Sequence, residues 1–100
     1  MNLKTLEKNI QQDILRYLKS HSIFHYKNIT CNKRGIPDIV AVYNGIPLFL
    51  EVKTQMGVLS EIQKYQMEQI RLSGGFAYVV RSVEEVERIL HMYRDKTLIK

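Results

Sequence analysis

Gly35-Ile36-Pro37-Asp38-Ile39-Val40-Ala41-Val42-Tyr43-Asn44-Gly45-Ile46-Pro47-Leu48-Phe49-Leu50-Glu51-Val52-Lys53 is the stretch that decides the fold. Two apolar runs flank Asn44-Gly45, a pair that accepts the positive φ a type I′ turn demands, so the stretch reads as a two-residue β-hairpin. That loop fixes the register. Tyr43 faces Ile46, and counting outward Asp38 falls opposite Glu51. Alternation of pair types from the turn makes Asp38 and Glu51 a non-hydrogen-bonded pair, with Cα atoms about 4.5 Å apart. Lys53, two residues beyond Glu51, projects from the same face. Leu48, Leu50 and Val52 take the opposite, apolar face, which should lie on the core. Pro47 falls at a non-hydrogen-bonded position, where its missing N–H points away from the partner strand.

Like charges facing one another weaken a hairpin by roughly 0.2–1 kcal/mol. Lys53 or Arg34 could neutralise the two carboxylates on an ordinary surface hairpin. A divalent cation between them would also do so, and hard oxygen donors suit Mg²⁺ or Mn²⁺.

The whole chain narrows the setting. One hundred residues, 45% of them apolar, support a single domain over 1–100 and argue against disorder. No apolar run approaches the ~20 residues of a membrane span. Met1-Asn2-Leu3-Lys4-Thr5 opens an amphipathic segment and not a signal peptide. The single cysteine, Cys31, excludes an intrachain disulfide and a Cys-rich zinc site. The expectation is an intracellular, cytoplasmic protein with no membrane partner. A net charge of +5 and a pI near 9.4 mildly favour a polyanionic partner such as nucleic acid.

Leu3, Leu6, Ile10, Ile14, Tyr17 and Leu18 recur at helical spacing over residues 2–20. Glu7 sits on or beside that stripe, with Gln11 one turn later on the same edge. It either reaches water at the margin or points into a polar site beside the core. Ile23 to Ile29 reads as a first strand. Thr30 to Gly35 is a polar, basic loop in which Lys33 and Arg34 are either solvated or placed to grip a phosphate backbone. After a loop at 54–59, Ser60 with Gln63 has capping-box spacing and starts a second helix that stops at Gly74-Gly75. Phe76 to Val80 is apolar throughout, which predicts a central strand. Ser82 with Glu85 repeats the capping-box spacing, and Val83, Val86, Ile89, Leu90 and Tyr93 make a last amphipathic helix, followed by a basic tail from Arg94 to Lys100.

The order is helix, three strands, helix, strand, helix. The segment from 48 to 80 should be a right-handed crossover joining parallel strands, which gives an α/β fold with a mixed central sheet flanked by helices.

Pro37-Asp38 followed by Glu51-Val52-Lys53 resembles the signature of the PD-(D/E)XK nuclease superfamily. The longer set Gly35-Ile36-Pro37-Asp38, Glu51-Val52-Lys53-Thr54, Leu59-Ser60 with Gln63, and Gly74 resembles the VRR-NUC family, the virus-type replication-repair nucleases. Glu7 falls where that family carries a glutamate on its first helix. The resemblance runs from about Glu7 to Leu90. One departure is Gln55, where the family often has proline.

The resemblance implies a restriction-endonuclease-like αβββαβα core and an Mg²⁺- or Mn²⁺-dependent endodeoxyribonuclease. By matched position, Asp38, Glu51 and the main-chain carbonyl of Val52 would hold the metal. Lys53 would orient the attacking water and offset charge on the scissile phosphate. Gln63 would position the lysine, water or phosphate, although it could serve only as a cap, and Glu7 would complete the acidic cluster or help hold a second ion. Members made of the bare domain resemble Holliday-junction resolvases, which implies branched double-stranded DNA as substrate, a homodimer, and a bacterial-host cytoplasm if the chain is phage-encoded. The alternatives on the same residues are a flap or duplex nuclease, or a DNA-binding module without catalysis.

Overall fold

The computed structural model describes residues 2–94, so most of the basic tail lies outside the described residues. Seven elements follow one another: α1 (Leu3–Ser20), β1 (Phe24–Lys27), β2 (Ile39–Tyr43), β3 (Ile46–Val52), α2 (Glu61–Leu72), β4 (Phe76–Val80) and α3 (Val83–Met92). The molecule is α/β, with a four-stranded mixed sheet flanked by helices.

The hairpin forms with the register its turn dictates. Asn44 and Gly45 have φ of 51° and 81°, and the β2–β3 ladder runs from Tyr43↔Ile46 to Ile39↔Leu50. Asp38 lies one step beyond this ladder, at a bend. β1 pairs antiparallel with β2, from Phe24↔Val42 to Lys27↔Ile39, and β4 pairs parallel with β3. The sheet order is β1-β2-β3-β4. The apolar β4 is therefore an edge strand and not a central one. Its apolarity has another cause: helices cover both of its faces, α3 on one side and α2 on the other.

Strand alternation sorts the sheet into two faces. Ile39, Ala41, Leu48, Leu50, Val52 and Val80 point to one, where Ile14 and Leu18 of α1 and Val86 and Leu90 of α3 complete a buried cluster. Glu51, Phe49, Val40 and Ala77 point to the other. There α2 buries Met67 over the β4 side of the sheet. At the β1 edge of that second face Phe24 and Tyr26 stay exposed.

The helix starts are set by side chains that take up otherwise unpaired N–H groups. Asn2 accepts from the Thr5 amide at 2.9 Å. Ser60 and Gln63 form a full capping box. Ser82 accepts from the Glu85 amide, but the Glu85 carboxylate accepts from the Arg81 N–H and not from Ser82. At the hairpin tip the Asn44 amide donates to the carbonyls of Tyr93 and Arg94, both at 2.8 Å, tying the turn to the end of α3.

Candidate active site

Glu51 is the centre of the arrangement. It stands on β3, a strand flanked on both sides, and only 2% of it is exposed. Its Oε2 accepts from Gln63 Nε2 at 3.1 Å. Its Oε1 is buried and has no hydrogen-bond partner among the described residues. Burial pushes the carboxyl up to about 8, and the charges of Asp38 and Glu7 push the same way, while Lys53 pulls it down. A buried carboxylate with an unsatisfied oxygen is costly unless a proton or a cation joins it.

Asp38 is placed by its backbone and by its carboxylate. Its carbonyl accepts from the Asn28 N–H at 2.8 Å, and the Asn28 side-chain amide donates to the Pro37 carbonyl at 2.7 Å. Its Oδ2 accepts from the Val52 N–H at 2.9 Å. In an extended strand the N–H and C=O of one residue face the same neighbour, so Val52 turns both toward the Asp38 side. The next residue alternates: the Lys53 N–H donates to the Val80 carbonyl, on the β4 side.

The Lys53 ammonium lies 3.8 Å from Glu7 Oε1 and 3.9 Å from Glu51 Oε2. Glu7 therefore reaches the site across the sheet end from α1, which accounts for a carboxylate on the margin of an apolar stripe. Gln11, one turn later, is also buried. Gln63 is the cap partner and also reaches the site. Its Oε1 accepts from the Ser60 N–H at 2.9 Å, while its Nε2 holds Glu51. The structure pairs it with the glutamate and not with Lys53.

Glu7, Asp38, Glu51, Lys53 and Gln63 thus gather at one end of the sheet, and three carboxylates to one ammonium leave excess negative charge. Lys33 and Arg34 are not brought into contact with that cluster. Both are exposed on the loop between β1 and β2, where the Arg34 carbonyl accepts from Gln66 of α2. Gly35, with φ of 76°, lies so close to α2 that a Cβ would stand 2.9 Å from the Ile62 carbonyl carbon. This contact sets the loop before Asp38 against the helix that carries Gln63.

Two positioning residues escape sequence reading. Asn28 closes the root of the loop ahead of Asp38, yet in the sequence it shows only as part of an Asn-Ile-Thr triplet. Arg81 donates to the carbonyls of Thr54, Gln55 and Gly57, clamping the turn that follows Lys53. Its only sequence signal is an arginine directly after a strand.

Among the described residues no group of three or more His, Cys, Asp or Glu side chains forms a ready-made metal cage. The donors that could hold a cation are the Asp38 and Glu51 carboxylates with the Val52 carbonyl. The partnerless Glu51 oxygen fits such a role, because a hard cation satisfies a buried carboxylate oxygen.

The sequence profile of the VRR-NUC domain matches residues 1–84. The chain belongs to the VRR-NUC family. This makes it a nuclease-type, DNA-processing domain. Two solved structures share the fold. A "VRR_NUC domain" is 22% identical with a TM-score of 0.75, over 88% of this chain and 97% of that one. A "VRR_NUC domain protein" is 17% identical with a TM-score of 0.75, over 88% of this chain and 87% of that one. Among curated proteins none matches. No helix among the described residues is long and apolar enough to cross a membrane.

Proposed function

We propose that this VRR-NUC chain is a metal-dependent, structure-selective endonuclease that hydrolyses phosphodiester bonds in branched DNA, as a homodimeric resolvase of four-way junctions. The observation that carries the catalytic part is the buried Glu51, held by Gln63 and facing Asp38 with one oxygen unpartnered. A DNA-binding module without catalysis gains nothing from a carboxylate cluster aimed at a polyanion.

In this reading Asp38, Glu51 and the Val52 carbonyl hold Mg²⁺ or Mn²⁺, which when bound supplies Lewis-acid polarisation of the phosphate and an acidified water. Lys53 orients the attacking water and meets the charge that grows on the phosphoryl oxygens. Glu7 holds the Lys53 ammonium in place from the far side. Gln63 and the Val52 N–H fix the two carboxylates, so little reorganisation is needed during the reaction. Lys33 and Arg34 contact the DNA backbone from the loop ahead of Asp38. The resolvase part rests on symmetry: paired cuts across a four-way junction need two sites related by a two-fold axis.

Cleavage of a four-way junction, a 5′ flap and a linear duplex with Mg²⁺ or Mn²⁺ tests this. The wild type should make paired symmetric cuts in the junction, and Glu51→Ala and Lys53→Ala should make none. Cleavage of flap or duplex with the junction untouched would keep the nuclease and remove the resolvase. DNA binding without cleavage of any substrate would overturn the enzyme.

A further inference from the structure

The free edge of β1 carries a surface that the carboxylate cluster does not use. Phe24 and Tyr26 alternate on the sheet face that also bears Glu51, at its exposed β1 edge. They are 67% and 49% exposed, with ring centroids 6.4 Å apart. Around the same edge runs a groove of about 550 Å³ between α1 and β1, bordered by Arg16, Lys19, His25, Lys27 and again Tyr26. Among the described residues no acidic side chain borders it. Lys19 and Lys27 form no ion pair among the described residues, and Arg16 pairs with Asp13 at 2.8 Å. Tyr26 belongs to both features, so aromatics and cations bound one continuous strip.

The strip leads to the site. Asn28, next on the same face after Phe24 and Tyr26, donates its N–H to the Asp38 carbonyl. At ~3.3 Å per residue, Tyr26 lies about 7 Å and Phe24 about 13 Å along the strand from that point. A cationic groove beside exposed aromatic rings is what a flexible polyanion with flat bases requires. Duplex DNA keeps its bases stacked and inaccessible to such rings, whereas an unpaired strand offers them.

We propose that the free edge of β1 binds an unpaired nucleic-acid strand, with phosphates along Arg16, Lys19 and Lys27 and bases on Phe24 and Tyr26. This rests on the nuclease reading above and gives it a source of structural selectivity. An unpaired arm or an opened branch point is held beside Asp38, and a closed duplex is not.

The test is fluorescence anisotropy of a labelled oligothymidylate on the whole chain in chelator, over a salt series, for wild type, Phe24→Ala/Tyr26→Ala, Phe24→Tyr/Tyr26→Phe and Lys19→Gln/Lys27→Gln. The alanine pair should lose about tenfold or more in affinity with an unchanged salt slope, and the Tyr/Phe exchange should retain wild-type binding. The lysine pair should lower the salt slope by about 1.4. Equal affinity of the alanine pair and the wild type would overturn the proposal. So would a self-association lost in that pair with single-strand binding intact, since β1 would then meet a second copy. Cleavage of the four-way junction, the 5′ flap and the linear duplex with Mn²⁺, run in parallel, reports the nuclease reading separately: no cut in any of the three by a wild type that binds through β1 removes the nuclease and not the binding strip.

Discussion

Gln63 holds Glu51 through one end of its amide and the start of α2 through the other. Its Nε2 donates to Glu51 at 3.1 Å and its Oε1 accepts from the Ser60 N–H at 2.9 Å. The helix start and the buried carboxylate are thus fixed by a single side chain. Gln63→Ala should lower stability by about 1–3 kcal/mol, because it removes a hydrogen bond to a buried group together with half of a capping box. Urea denaturation measures it. Gln63→Glu should keep the cap and lose the donor to Glu51, with a deficit that grows as pH rises.

Glu51 makes metal-free stability pH-dependent with a defined sign. Its carboxyl titrates near 8 in the folded chain against 4.5 for an ordinary glutamate. Between those values the folded state holds a proton that the unfolded state has lost. Stability is therefore full below about pH 4.5 and falls as pH rises toward 8. In chelator the urea midpoint should be higher at pH 5.5 than at pH 8, and Glu51→Gln should flatten that difference. Mg²⁺ should raise the wild-type midpoint at pH 8 and leave that of Glu51→Gln nearly unchanged.

Gly35 is held at positive φ against the backbone of Ile62. Gly35→Ala should cost about 1–3 kcal/mol, since the methyl group meets main chain that cannot swing aside. Because the displaced loop runs on into Asp38, junction cleavage should fall more than stability alone predicts. Cleavage rate and thermal midpoint measured on the same sample separate the two effects.

Arg81 joins three carbonyls of the turn after Lys53, those of Thr54, Gln55 and Gly57, through its guanidinium. Arg81→Lys should behave nearly as Arg81→Ala, because an ammonium cannot reproduce the planar fork. Each should speed hydrogen exchange at residues 54–58 while leaving α1 protected.

The hairpin and its acidic pair were legible because Asn44-Gly45 sets register through purely local geometry. Asp38, Glu51 and Lys53 follow from that register, and the first turns of α2 and α3 follow from short-range capping. What stayed hidden depends on partners distant in the chain. Asn28 reaches Pro37, Arg81 reaches Thr54, and Asn44 reaches Tyr93. Each donates to a backbone carbonyl, and a carbonyl leaves no mark in the sequence. The edge position of β4 was illegible for a related reason. An apolar strand records how many of its faces are covered, not whether the cover is strand or helix. The bridge from Glu7 to Lys53 needed α1 docked across the sheet, which its stripe suggests but does not locate.

Asn28 has one more consequence. Its two hydrogen bonds bring the ends of the segment from 28 to 38 together at one root, and Gly35 against Ile62 pins the later half. Residues 29–33 hang outside these fastenings as a closed bight. Doubling the length of such a loop costs only about 0.6 kcal/mol of closure entropy. The tip at Cys31-Asn32 is therefore a place where a peptide tag or a further recognition segment can be spliced in while Asp38 keeps its station.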